Sequence, residues 1–184
     1  GSGRHLLTEM FFSPSRPFYA STSTLSLECI ALEKYEEFAK AHFEKAEKHL
    51  AADVVKAVYE KFEGVTWYVQ KVLNYLYSNT KEGETCEAEW IDDTVNEIVK
   101  DNSPIYADLL YQLTAKQKEL LMAVNAEGKT KAITGSKFIK KYHLSAASSV
   151  QTTIKSLMDK QLVTRHLGIY EVYDKFFGIW LSRL

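Results

Sequence analysis

The chain has 184 residues, of which 46% are hydrophobic and 26% charged, an ordinary globular composition that excludes disorder as the default state. Its formal net charge of -1 excludes the overall basic excess of a typical nucleic-acid-binding domain, although local basic patches stay open. No run of about 18 apolar residues exists, which excludes an apolar helix able to span a membrane.

In chain order, residues 1–28 are rich in Ser, Thr, Phe and Pro and lack a sustained period. Ser13-Pro14-Ser15-Arg16-Pro17 is loop chemistry, because proline fixes its own φ and restricts the residue before it. Leu25, Leu27 and Cys29 alternate with Ser26 and Glu28, a short strand pattern. A lone strand and loop need a partner surface, which points to a piece of something larger.

From residue 33 the period becomes helical. Tyr35, Phe38, Ala39, His42, Phe43 and Ala46 share one face of a first helix. A second carries Val54, Val55, Val58, Tyr59 and Phe62 and stops at Gly64, a natural residue just past a helix end. A third starts near Thr66 with Tyr68, Val69, Val72, Leu73 and Leu76. Lys81-Glu82-Gly83 reads as a loop, and residues 87–100 as a fourth helix. Ser103-Pro104 reads as the cap and first residue of a fifth, with Ile105, Leu109 and Leu110. Helices with short connectors make a bundle.

Past Leu113, Thr114-Ala115-Lys116-Gln117 fits a capping box, in which Thr caps the helix and Gln reaches back. That helix carries Leu120, Leu121 and Val124 and closes at Gly128. Ser136 is expected to cap a helix with Phe138, Ile139 and Tyr142, and Ser145 to cap one with Val150, Ile154, Leu157 and Met158. The period then falls to two: Val163 opens a strand, Gly168 turns, and residues 169–173 return. A last helix, residues 176–181, is expected to bury Phe177, Trp180 and Leu181. Three helices and a β-hairpin are the plan of a winged helix. The fold class is therefore mainly α, a helical bundle followed by a winged-helix domain.

No catalytic constellation is visible. Gly128-Lys129-Thr130 echoes a phosphate-binding P-loop, but the glycine required five positions earlier is Ala123. Asp92-Asp93 point in different directions on a helix and read as a solvated face. His42 and His49, seven apart, could share a helix face, yet no Cys or carboxylate at ligand spacing joins them, so no metal site is expected. Cys29 and Cys86 have no metal-like spacing and read as free thiols of a reduced, cytoplasmic protein.

Three stretches, taken together, carry a resemblance. The first is Gly1-Ser2-Gly3-Arg4-His5-Leu6-Leu7-Thr8-Glu9-Met10, with Ser15-Arg16-Pro17-Phe18-Tyr19 and residues 25–30. The second is Gly64-Val65-Thr66-Trp67-Tyr68-Val69-Gln70. The third is Gly168-Ile169-Tyr170-Glu171-Val172-Tyr173-Asp174 with residues 177–181. In order and spacing they resemble the C-terminal part of archaeal and bacterial P-loop ATPases of the AAA+/STAND type. They match the end of the core after its sensor-1 strand, a "G-h-P-y-y-v-q" lid motif, and a "G-x-Y-x-V-x-D-P-x-F-x-x-W-L" ending. Thr66 and Lys175 stand where that family has Pro, and Ala20-Ser21 where it has Gly-Arg.

The resemblance implies that residues 1–30 trail from a P-loop core, residues 31–112 form the helical lid, and residues 113–184 form the winged helix. Gly1-Ser2 would then be native sequence rather than a cloning scar. Ser2 would sit at or just after the sensor-1 position, with Arg4 and Arg16 near the nucleotide, where arginine neutralises transferring phosphate. Gly64, Trp67 and Tyr68 would pack near adenine or ribose. The chain itself would be non-catalytic and hold no cofactor. ATP and Mg would bind only with the missing core, which is the expected partner. Nucleotide there would set the lid angle and so move the winged helix. The alternative is a stand-alone winged-helix transcription regulator.

In winged helices that bind DNA, the third helix enters the major groove and Lys and Arg hold phosphates. Here that helix begins with small polar residues. Ser145, Ser149 and Thr152 could bond phosphate, and Gln151 could read adenine. Lys129, Lys131, Lys137, Lys140 and Lys141 precede it, Lys155 lies on it, and Arg165 and His166 start the wing. Between residues 129 and 166 eight cations, Lys160 among them, face one carboxylate, Asp159. The same surface could instead dock on a protein, so DNA and protein both remain candidate partners.

Overall fold

The computed structural model describes residues 29–184 together with Phe11, Pro14, Ser15, Pro17, Tyr19 and Ser21. The expected strand positions Leu25 and Leu27 lie outside the described residues, as do Ser2, Arg4 and Arg16. The chain divides between Ile105 and Tyr106 into two compact units.

The first unit is built from α1 (Leu32–Lys45), β1 (His49–Leu50), α2 (Val54–Lys61), α3 (Thr66–Asn79), β2 (Thr85–Cys86) and most of α4 (Trp90–Tyr111). Tyr35, Ala39 and Phe43, spaced by four, form the buried stripe of α1. Phe38 and His42, expected on that face, lie on its flank. Both are exposed, and their rings meet edge-on at 4.4 Å. α1 ends at Lys45 and His49 lies in β1, so the two histidines do not share a helix face.

α2 and α3 bury Val54, Val55, Val58, Val69, Val72 and Leu76. The strands β1 and β2 pair in parallel, His49 with Thr85 and Leu50 with Cys86. No sequence pattern signals them, because a two-residue strand has no period. They carry Cys86 into the core, where burial pushes its thiol pKa up.

Gly64 is the fixed point of the α2–α3 turn. It follows Glu63 in the left-handed region, with φ of 67° after 54°, and its N–H donates to the Tyr59 carbonyl at 2.9 Å. The Tyr59 ring lies directly against it: a Cβ on Gly64 would stand 2.6 Å from Cζ. The Tyr59 hydroxyl in turn donates to the Ile30 carbonyl at 3.0 Å.

The expected break at Ser103-Pro104 does not occur. One helix, α4, runs through both residues with Pro104 in its interior. Proline removes one helical donor but tolerates continuation when the neighbouring turns hold. Just upstream, the Asn102 amide donates to the Ile98 carbonyl at 2.7 Å.

The second unit takes the end of α4 from Tyr106 and adds α5 (Ala115–Glu127), α6 (Ser136–Lys141), α7 (Ala147–Asp159), β3 (Val163–His166), β4 (Ile169–Val172) and α8 (Lys175–Leu181). The capping box at Thr114 forms on both sides. Its hydroxyl accepts from Gln117 N–H at 3.4 Å, and Gln117 Oε1 accepts from Thr114 N–H at 2.9 Å. Gly128 closes α5 with φ of 71°, and Ala123 is buried within that helix, so neither belongs to a phosphate loop.

Ser136 and Ser145 do not cap. Gly135 and Ala146 occupy the cap positions, and no side chain bonds to either helix start. Ser136 is already the first helical residue, and Ser145 sits one residue too early. Asp174 does cap α8, accepting from Phe176 and Phe177 N–H at 2.8 and 3.2 Å. That helix buries Phe176, Phe177 and Leu181, while Trp180 is only half-buried, stacked near Phe177.

Gly64→Ala is expected to destabilise the chain by at least ~1–2 kcal/mol, the cost of a left-handed alanine before its clash with Tyr59 is counted. Urea unfolding followed by circular dichroism checks it; an unchanged midpoint would contradict the geometry.

Candidate nucleic-acid interface

α7 shows two faces. Val150, Ile154 and Leu157 are buried toward α5 and the ribbon. Ser148, Gln151, Thr152, Lys155 and Asp159 recur at helical spacing on the opposite, exposed face. The Thr152 hydroxyl donates back to the Ser148 carbonyl at 3.1 Å. Ser149 is half-buried at the edge of this face, and Ser145 is exposed just ahead of the helix. The predicted residues of this helix thus collect on one side, with Ser149 at its margin. Ser148, missed in the sequence, belongs with them and was findable from the same spacing.

One hydrogen bond ties α7 to α5. Gln117, already holding the Thr114 N–H through its oxygen, donates from Nε2 to Ser156 Oγ at 2.9 Å. The capping box therefore also fixes the rotation of α7 and hence which face looks outward.

On α6, Lys137, Lys140 and Lys141 are exposed on one side, opposite buried Phe138. Lys141 differs from the other two. Its Nζ donates to Glu127 Oε1 at 2.6 Å, and the Tyr142 hydroxyl donates to the same oxygen at 2.9 Å. These two hydrogen bonds hold the Glu127 carboxyl below the usual carboxylate range, and the bond to Glu127 is the main cause that raises Lys141. Lys141 carries a counter-ion already and is a poorer phosphate ligand than Lys137 or Lys140. Nothing in the local sequence signals this, because Glu127 is 14 residues away.

The ribbon is a hairpin with one added bridge. β3 and β4 pair from Val163–Val172 to His166–Ile169. Thr130 joins the outer edge of β4 through two backbone bonds with Tyr170, at 3.0 and 2.7 Å. The Arg165 guanidinium lies 5.2 Å from the Tyr170 ring centre, which holds it along the ribbon. The turn is Leu167-Gly168, both at positive φ, 48° and 79°, as a two-residue hairpin of this hand requires.

Charge follows the division of the chain. Residues 106–184 carry twelve Lys and Arg against six Asp and Glu, whereas residues 28–105 carry nine against seventeen. The near-zero total conceals a basic unit joined to an acidic one.

The first unit offers less. Tyr68 is buried and stacks on Phe62 at 5.5 Å between ring centres, while Trp67 beside it is 58% exposed. Of the turn residues Gly64, Trp67 and Tyr68, the indole is the group with surface to offer. A shallow depression is lined by Glu44, Glu47, Lys48, His49, Glu82 and Gly83. Lys48 is engaged there, donating to the Tyr77 carbonyl at 2.7 Å and lying 4.1 Å above its ring. Asp92 is exposed and pairs with Lys61 at 2.9 Å. Among the described residues no group of three His, Cys, Asp or Glu is placed to hold a metal, and no helix is long and apolar enough to cross a membrane. Cys29 is exposed and neither cysteine forms a disulfide.

Three helices in sequence, a two-stranded ribbon after the third and a bridge from the segment after the first define the second unit as a winged helix. Residues 104–183 match the family model described as "Probable winged helix domain". No curated protein and no solved structure matches the chain.

Proposed function

We propose that the chain is a non-catalytic recognition module whose winged helix binds double-stranded DNA. The observation that carries this reading is the exposed face of α7, Ser148, Gln151, Thr152 and Lys155, flanked by Lys137 and Lys140 on α6 and Arg165 on the ribbon. Small and amide side chains on a helix suit close approach to base edges, and flanking cations suit the phosphates on either side. The start of α7 lacks a side-chain cap, which leaves its first amides available to a phosphate. A protein with an acidic surface could use the same cations, but it would not need the uncharged, hydrogen-bonding face between them.

The test is fluorescence anisotropy of a labelled random-sequence 24-base-pair duplex titrated with the full chain at rising salt. Binding should weaken steeply with salt, because each phosphate contact releases counterions. Lys140→Glu combined with Lys155→Glu should cut affinity by more than about tenfold and flatten the salt slope by about 2. Lys141→Glu, at a position already paired with Glu127, should change the slope less. No binding at low salt would sink the proposal.

A second reading concerns the first unit and rests on the α2–α3 turn. The left-handed Gly64 and the exposed Trp67 occupy the stretch that resembles the lid motif of AAA+/STAND ATPases. In that reading residues 31–112 are the lid of a P-loop ATPase, and ATP with Mg in a core outside the described residues biases the winged helix. ATP added to a polypeptide that includes such a core should alter Trp67 fluorescence. A signal that Trp67→Phe leaves intact would count against the lid.

A further inference from the structure

Leu167 sits at the tip of the ribbon with φ of 48° and is 83% exposed. Both features are unfavourable in the isolated protein. The left-handed region suits Gly, Asn or Asp at this turn position, and the leucine side chain buries almost nothing. Asparagine there would relieve the backbone and remove an exposed apolar group, so the folded chain alone offers no reason for leucine.

The surroundings say what kind of surface would accept it. Arg165 and His166 are exposed on β3, next to the tip. Lys129 and Lys131 are exposed on either side of Thr130, which is bonded to Tyr170 on β4. Glu171 is the one carboxylate in the ribbon, paired across from Thr164 and half-buried. The tip is therefore an apolar point on a cationic ribbon. A minor groove has that complement: a narrow channel walled by phosphates, whose base steps accept apolar wedges.

We infer that Leu167 is a wedge that enters the minor groove of bound duplex DNA while Arg165, His166 and the lysines beside Thr130 hold the phosphates along it. The inference rests on the DNA-binding reading above. It adds a residue that contributes shape-dependent affinity without charge.

The test compares the full chain with Leu167→Asn and Leu167→Met on the random-sequence 24-base-pair duplex, by anisotropy across a salt series and with the minor-groove ligand netropsin as competitor. Asparagine suits the turn, so that variant should fold at least as well as the parent by thermal melting. It should bind about tenfold more weakly, the scale of one buried leucine contact. Its salt slope should be unchanged, because no cation is removed. Leu167→Met should bind within about twofold of the parent, since it keeps an apolar side chain of similar volume. Netropsin should displace the parent more readily than Leu167→Asn. A parent that binds duplex with Leu167→Asn indistinguishable from it overturns the wedge and leaves DNA binding standing. A parent that fails to bind duplex at low salt overturns both.

Discussion

The outward face of α7 rests on the burial of one stripe of that helix. Val150, Ile154 and Leu157 pack inward, and their spacing dictates that Ser148, Gln151, Thr152 and Lys155 face out. Apolar burial alone would tolerate some rotation of the helix about its axis. The bond from Gln117 to Ser156 limits that freedom, because the Gln117 oxygen is already committed to the Thr114 N–H. At the other end of α5, Glu127 holds Lys141 and Tyr142 and so fixes the end of α6. Both ends of α5 thus act as anchors, and the helices that present the polar face are pinned from behind.

Electrostatics sharpens the picture. The excess of cations in residues 106–184 is opposed by the excess of carboxylates in residues 28–105. Cations spaced over residues 106–184 favour an anionic surface over a cationic one as the counterpart of that unit. Within the basic unit the cations are not equivalent. Lys141 is neutralised by a neighbouring carboxylate and Arg165 is braced by Tyr170, whereas Lys137, Lys140 and Lys155 project from exposed positions.

Much of this architecture is legible in the sequence because it is local. The capping box at Thr114, the helix ends at Gly64 and Gly128, the period-two ribbon around Gly168 and the apolar stripe of α7 each follow from spacing within a few residues. The failures are also physical. Ser-Pro at 103–104 is compatible with a helix start and with a helix interior, and in α4 it takes the second. Ser136 and Ser145 look like caps, but the chain turns one residue before the first and one residue after the second. The short strands β1 and β2 exist only through their pairing with each other, across residues 49–86. In the candidate site the residue types were readable, whereas the long-range bonds were not. Glu127 with Lys141 and Gln117 with Ser156 join positions that no periodicity links.

The proposed contact surface for duplex DNA is the exposed face of α7 together with the ribbon. The most direct measurement is a backbone amide NMR titration of the full, isotopically labelled chain with an unlabelled random-sequence duplex. Perturbed signals are expected to concentrate at residues 145–155 and 165–168, with the helices of residues 29–105 largely unmoved. Perturbations concentrated on α1 to α3, or none in α7 and the ribbon at saturating duplex, would contradict it.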